Sequence, residues 1–285
     1  MRLKPKVHIV LVHWNSWAET SACLLSLQAL DYENYRVIVV DNGSSDDSAS
    51  RIQRMFSWPE LIMAGENRGF SAGCNIGIRR ALAEKTDYVW LLNTDTRVGP
   101  GALDALVEKA ESDPGVGAVG SVIYSIERPT ELQAWGGGHV NFWMGRARHF
   151  LKPVPDKAIH YLTGASLLLR RQVLESVGLL DESIFLYWED TEYSYRLRRA
   201  GWKLVVAPDS KIWHKGMTAV GAKNPKLDVF YNASAVRFFK QHSPTPLLSL
   251  WVGVSLRIAK RLLAGDWGRA RATWTAVWQA VNAKT

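Results

Sequence analysis

The sequence predicts an α/β fold, a Rossmann-like sheet of strands alternating with helices, followed by a C-terminal helical extension. Three observations carry that expectation. Over residues 1–125 short β-branched runs alternate with stretches of helical periodicity, the pattern of a parallel sheet covered by helices. Asn15, Asp41 and Asp95 each follow an apolar strand, at the strand ends where open α/β sheets hold ligands. Beyond residue 236 acids all but vanish while apolar residues recur at helical spacing.

In order, the pattern gives a strand at 7–12, a helix at 16–30, a strand at 36–41, a helix at 46–55 and a strand at 60–64. A helix at 70–84, a strand at 88–92, a helix at 100–111 and a strand at 116–124 complete the first half. From 125 to 161 the alternation stops, and three consecutive glycines with scattered aromatics suggest loops or a hairpin around a site. Order returns with a strand at 166–170, helices at 171–176 and 192–200, and strands at 203–206 and 211–214. From about 228 the chain reads as three helical pieces, divided at Pro244 with Pro246 and at Gly265-Asp266. The expected organisation is a domain over 1–236, split at 125 into a ligand-binding half and a second half, and a basic amphipathic tail over 237–285.

The 285 residues are 47% hydrophobic and 22% charged, the composition of a globular and not a disordered chain. The formal net charge of +8 is unevenly placed. Residues 1–236 hold 27 basic and 26 acidic side chains, whereas 237–285 hold 8 basic residues and the single acid Asp266. A nearly neutral body argues against a nucleic-acid-binding protein, whose recognition face would be basic. Two cysteines, Cys23 and Cys74, are too few for a disulfide framework, so a reducing compartment, the cytoplasm, is expected. The apolar run before His13 reads as a first strand and not a signal peptide, and the ten-residue run at 247–256 is shorter than the ~20 residues of a spanning helix.

Several motifs carry candidate chemistry. The stretch DNGSSD at 41–46 is either a turn with a helix cap, or a place where Asp41 accepts a hydrogen bond from a nucleotide base or ribose. ENRGFSAGCN at 66–75 lacks the G-x-G-x-x-G spacing of dinucleotide binders, which weighs against NAD; its glycines serve either close helix packing or a loop in which Arg68 meets a nucleotide. NTD at 93–95 suits a hard divalent cation bridging a carboxylate and a diphosphate, while Asp95 could equally cap the helix near Pro100. Trp188-Glu189-Asp190 sets aromatics against two adjacent carboxylates, as a sugar-binding wall beside a general base requires; the rival is an acidic helix N-terminus. His214 closes a short strand.

Together VHWN, VVDNGSSD, ENRGFSAGCN, YVWLLNTDT, TGASLLLRR, FLYWEDTEYSYRLRRAGW and IWH resemble, in order and spacing, the inverting glycosyltransferase family 2 and its bacterial rhamnosyltransferase-like branch, over about residues 5–240. The resemblance implies a GT-A fold with a mixed central sheet. It places nucleotide-sugar contacts at His13, Asn15, Asp41, Arg68, Asn93 and Asp95. The family's D-x-D triplet falls on Asn93-Thr94-Asp95, where Asn replaces the first acid, and Asp95 with His214 would hold Mg²⁺ or Mn²⁺. Asp190 matches the catalytic base, and Trp188, Glu189 and Gly164 fall where the acceptor packs. The implied donor is dTDP-L-rhamnose, with a UDP-sugar second, and the implied acceptor a cell-envelope glycan or lipid-linked oligosaccharide. A catalytically inactive sugar-nucleotide-binding scaffold and a nucleotidyltransferase are the rivals.

The tail has two readings. Its apolar positions, with Arg257, Lys260, Arg261, Arg269 and Arg271 between them, fit helices packing on the body or on a second copy in a homo-oligomer. They also fit a peripheral anchor on the anionic inner face of the cytoplasmic membrane, with the five bases supplying the attraction.

Overall fold

A computed structural model describes residues 4–216 and 224–282. In the first half β1 (Val7–His13), β2 (Tyr35–Asp41), β3 (Glu60–Met63) and β4 (Tyr88–Leu92) pair in parallel in the order β3-β2-β1-β4. The near-continuous apolar runs of β1, β2 and β4 follow from burial on both faces, whereas β3, at the sheet edge, is partly exposed. Alternation sorts the side chains: Ile9, Leu11, Val37 and Val39 meet α1 (Trp17–Leu27), α2 (Ser48–Met55) and α4 (Ala102–Glu111). Val10, Ile38 and Val40 meet α3 (Phe70–Ala83) on the opposite face. The sheet thus separates two cores.

The second half extends the same sheet. The strand β11 (Ser166–Arg170) runs antiparallel between β4 and β6 (Val116–Ser125), and β12 (Lys203–His214) lies parallel to β6. With β7 (Leu132–Trp135) and β5 (Thr96–Val98) this makes a nine-stranded mixed sheet. The expected strands at 203–206 and 211–214 are one strand, bent by a register shift between Ala207 and Lys211. That bend brings His214 opposite Thr96 in β5, a strand the sequence did not suggest. Asp95 therefore precedes a strand; it does not cap α4, whose N-cap is Gly101.

The unreadable stretch forms a second sheet of β8 (Gly137–Asn141), β9 (Arg146–His149) and β10 (Tyr161–Leu162) in the order β10-β8-β9. Glycine is required in β8. A Cβ on Gly137 would lie 1.9 Å from the Tyr161 carbonyl oxygen, and one on Gly138 2.0 Å from that of Arg148. After α5 (Arg171–Ser176), α6 (Glu189–Arg199) starts three residues earlier than periodicity suggested, which puts both carboxylates in its first turn.

The tail is α7 (Pro225–His242), α8 (Pro246–Leu263) and α9 (Trp267–Asn282), and α7 crosses position 236 without a break. Ala235, Val236, Phe238 and Phe239 of α7 form a third core with Val140, Tyr161 and Trp188. The buried Asp228 accepts hydrogen bonds from Arg261 and Arg269, while Arg257 donates to Asn232 Oδ1 (2.8 Å) and to the Gly145 carbonyl (3.0 Å). Three of the five bases expected to face an anionic surface are therefore spent inside the fold. Desolvating a guanidinium is costly without acceptors, and these acceptors hold the helices together.

Candidate active site

The strand ends place most of the expected residues around two adjoining cavities. One, of about 440 Å³, is lined by Asn93, Gly164, Glu189, Asp190, His214 and Tyr231, among others. The other, of about 430 Å³, is lined by Trp14, Glu19, Thr94, Asp95 and Lys215. Phe70, Asn93 and Gly216 belong to both, so Asn93 stands on the shared wall.

At the end of β2, Asp41 is 1% exposed; Oδ2 accepts from the Ser44 amide (3.2 Å), while Oδ1 is buried without a hydrogen-bond partner among the described residues. Such an orphaned acceptor is an energetic liability unless a ligand satisfies it. His13 is fully buried, with Nδ1 2.8 Å from Thr20 Oγ1 and Nε2 2.7 Å from Ser48 Oγ. Burial holds its imidazole below the ordinary histidine range, so the ring is neutral at pH 7. With both nitrogens engaged, His13 props the strand end and has no atom left for a nucleotide. Asn15, with left-handed φ of 47°, spends its side chain on Ser45, and so braces the 42–46 turn. Asn42 ties that turn to the glycine loop by donating to the Gly69 carbonyl (3.0 Å) and accepting from the Arg68 amide (3.2 Å). The Arg68 guanidinium turns away, 4.0 Å from Glu182, and lines neither cavity.

Asn93, Asp95 and His214 converge although 121 residues separate the first from the last. His214 Nε2 is 3.2 Å from Asp95 Oδ1 and 3.5 Å from Asn93 Nδ2. Gln133 Nε2 donates to the His214 carbonyl (3.0 Å), which leaves Gln133 Oε1 to accept from Nδ1–H (3.2 Å). That tautomer aims the Nε2 lone pair at Asp95. The donor set fits a divalent cation: one carboxylate, one imidazole oriented from behind and one amide, with room for substrate oxygens. Among the described residues no group of three or more His, Cys, Asp or Glu side chains gathers to cage an ion, so protein donors alone do not complete the shell.

Opposite stand the two carboxylates. Asp190 Oδ2 accepts from the Gly164 amide (2.8 Å), and Oδ1 from the Thr191 amide (2.5 Å) and hydroxyl (3.0 Å). Both oxygens are thus oriented. Tyr187 and Trp188, with φ of 66° and 68°, form a left-handed pair that turns the chain into α6. Gly69, at φ 88°, permits the close approach there, since its Cβ would meet the Phe185 carbonyl oxygen at 2.6 Å. Glu189 is buried with Oε2 unpartnered among the described residues, and desolvation, reinforced by the charge of Asp190, pushes its carboxyl up to about 8. Trp188 is 4% exposed and packed on Phe238 and Phe239 at 5.0 and 5.2 Å. It is chiefly a core residue whose edge reaches the cavity.

Sequence reasoning missed Gln133, which orients His214, together with Tyr161, His149 and Tyr231. The Tyr161 hydroxyl lies 3.2 Å from His149 Nδ1, and both residues line the cavity with Asp190. No periodicity marks them. Clustering near the triple glycine, a stretch suspected of framing a site, could have drawn attention to Gln133, His149 and Tyr161, while Tyr231 comes from α7 and carries no such signal.

A mixed sheet with a carboxylate-imidazole pair at its strand ends and an oriented carboxylate across a cleft defines a GT-A glycosyltransferase architecture. Residues 8–178 match the family Glycosyl transferase family 2, and the chain belongs to that family. It is 28% identical over 237 residues to the N-acetylglucosaminyl-diphospho-decaprenol L-rhamnosyltransferase of Mycobacterium tuberculosis, covering 75% of this chain and 77% of that protein. Among solved structures it is similar to the mannosyltransferase PcManGT of Pyrobaculum calidifontis in complex with GDP-Man and Mn²⁺ (TM-score 0.63, 17% identity, 100% of this chain and 77% of that one). It is also similar to GalNAc-T7 with UDP, GalNAc and Mn²⁺ (TM-score 0.73, 14% identity, 99% and 57%). At those identities the two structures establish the GT-A fold.

Proposed function

We propose that this family 2 enzyme transfers L-rhamnose from dTDP-rhamnose, with inversion, to a hydroxyl of a cell-envelope glycan or lipid-linked oligosaccharide at the inner face of the cytoplasmic membrane. The mycobacterial relative's activity supports the donor and the lipid-linked acceptor. The observation that carries the reaction class is Asp190, fixed by Gly164 and Thr191 in the same cavity as Asn93 and His214.

Asp190 takes the proton of the acceptor hydroxyl as its oxygen bonds to the anomeric carbon from the face opposite the diphosphate. The bond from that carbon to the phosphate oxygen breaks in the same step, so one displacement inverts the centre. Asp95 and His214 would hold Mg²⁺ or Mn²⁺, with Asn93 beside them, and the ion supplies charge neutralisation for the departing diphosphate. Gln133 holds the His214 ring for that task. Asp41 Oδ1, a buried acceptor without a hydrogen-bond partner among the described residues, suits the imide N–H of a thymine or uracil ring. A UDP-sugar is therefore the second donor reading, since both bases carry that group.

The test is thermal unfolding with dTDP-, UDP- and CDP-sugars, with and without Mn²⁺, followed by transfer assays with the donor that stabilises. A ligand stabilises in proportion to the logarithm of its concentration over its dissociation constant. Stabilisation by dTDP- or UDP-sugars that depends on Mn²⁺ is expected; an equal response to a CDP-sugar, whose base has no ring N–H at that position, would remove the role of Asp41. Binding without transfer or hydrolysis to any acceptor would instead make the chain a sugar-nucleotide-binding scaffold.

A further inference from the structure

The outward faces of the last two helices are apolar in a way that the packing of the chain leaves unused. In α9, Trp267, Trp274 and Trp278 are spaced seven and four residues apart, so they share one face, and they are 70%, 62% and 61% exposed. Thr273 and Ala276 are buried on the other side. In α8, Leu247, Trp251 and Leu262 form an outer stripe while Leu250 and Val254 turn inward. Trp143, also exposed, lies between β8 and β9 and shares a cavity with Pro244 and Thr245, just ahead of α8.

Charge narrows the occupant. Asp266 is the single acid beyond residue 236 and stands 3.6 Å from Arg269. Arg271 sits on the tryptophan face, four residues after Trp267, with no ion pair among the described residues, and Lys260 is likewise unpaired. An acid-poor apolar surface rich in indole and edged by cations has the chemistry of the phospholipid headgroup boundary. A protein partner would meet one acid here, Asp266, and that one already stands beside Arg269. No helix among the described residues is long and apolar enough to cross a membrane, so these helices would lie on a bilayer. The face is also tied to the site: Arg257 of α8 bonds to the Gly145 carbonyl of the small sheet, and Tyr231 of α7 lines the cavity that holds Asp190.

We propose that the tryptophan-rich outer face of α8 and α9 seats the enzyme on a phospholipid surface by apolar insertion, with charge a minor contributor. This deepens the lipid-linked acceptor reading and rests on it for the membrane's relevance to the reaction. The mode of attachment differs from the one composition suggested, because Arg257, Arg261 and Arg269 are committed to Asn232, Gly145 and Asp228.

Cosedimentation of the full chain with vesicles of phosphatidylcholine, alone or with a minority of phosphatidylglycerol, tests it. Binding to both is expected, and it should survive a rise from about 0.1 to about 1 M salt, over which the Debye length falls from about 10 to about 3 Å. The combined variant Trp251→Ala, Trp274→Ala, Trp278→Ala should lower partitioning at least about tenfold, given the area each indole buries. Its melting and its transfer to a water-soluble acceptor should be unchanged, because the three side chains are exposed and outside the cavity. Lys260→Ala with Arg271→Ala should remove only the extra binding to anionic vesicles. Failure of the wild type to bind, release by salt, or a wild-type dimer that the tryptophan variant dissociates would each overturn the proposal. The transfer assay reports separately, so loss of vesicle binding with intact transfer leaves the proposed reaction standing.

Discussion

The two sides of the cleft are built in opposite ways. On the β1–β2 side the turn is held by contacts local to the first 69 residues: His13 to Thr20 and Ser48, Asn15 to Ser45, Asn42 to Gly69. Facing it, Asp190 leans on Gly164 from 26 residues away, His214 on Gln133 from 81, and Tyr231 arrives from the tail. A short-range network can form as soon as two parallel strands pair, and it fixes a turn in which Asp41 Oδ1 is buried without a hydrogen-bond partner among the described residues. The long-range side exists only once the sheet, the small sheet and α7 have all docked. Within one fold, the first side suits a constant ligand, and the second can be remodelled by changing hairpins and helices without touching the strands.

The largest effect that tests this division is at Asp190. Asp190→Asn should lower kcat by about 10²–10⁴, the usual worth of a positioned general base, while leaving donor affinity nearly unchanged. Isothermal titration with nucleotide beside steady-state transfer separates the two quantities. A parallel loss of donor binding would show that the two sides are not separable.

The converse is smaller. Asp41→Ala should weaken binding of dTDP or UDP by about 10- to 100-fold, the range for a lost hydrogen bond to a charged group, with kcat at saturating donor kept. Since Oδ1 has no hydrogen-bond partner among the described residues and lies 4.0 Å from His13 Nε2, the fold gives up little beyond the Ser44 contact. Unaltered affinity for both nucleotides would mean that the base lies elsewhere.

The same contrast explains what was legible in the sequence. Parallel strands announce themselves by unbroken β-branched runs, and the polar residues at their ends follow by position alone, so the alternating first half and the place of Asp95 could be read directly, while Asp190 was legible only from its motif at the start of α6. Roles were harder than places. His13 lies at the expected strand end, yet a ring buried at zero exposure serves Thr20 and Ser48, and sequence spacing carries no signal for that. Arg68 looked free in a glycine loop, but Glu182, more than a hundred residues on, draws it aside. The small sheet was silent because Gly137 and Gly138 act through backbone approach and not through alternating side chains. In the tail, composition counted Arg257, Arg261 and Arg269 as surface charge, and only the folded arrangement shows Asp228 and Gly145 consuming them.

Glu189 sharpens the comparison from inside the acceptor side, with the smallest expected effect. Its neighbour Asp190 accepts three hydrogen bonds; Glu189 has burial, an Oε2 unpartnered among the described residues and a carboxyl pushed up to about 8, so at pH 7 it is mostly a neutral acid. The sign of the linkage follows. Because the folded state holds this proton more tightly than the unfolded chain, whose carboxyl titrates near 4.5, the group's contribution to stability is complete below that value and is lost as pH rises toward 8. Glu189→Gln keeps the shape and a hydrogen-bond donor but cannot ionise. The wild type should therefore lose melting temperature relative to Glu189→Gln between about pH 5 and pH 9, and the two should transfer sugar at similar rates near pH 7. A difference that does not vary with pH would mean that the carboxylate is charged in the cavity. Its partner would then have to come from the substrate, and this side of the cleft would be recognising a cation or a hydrogen-bond donor.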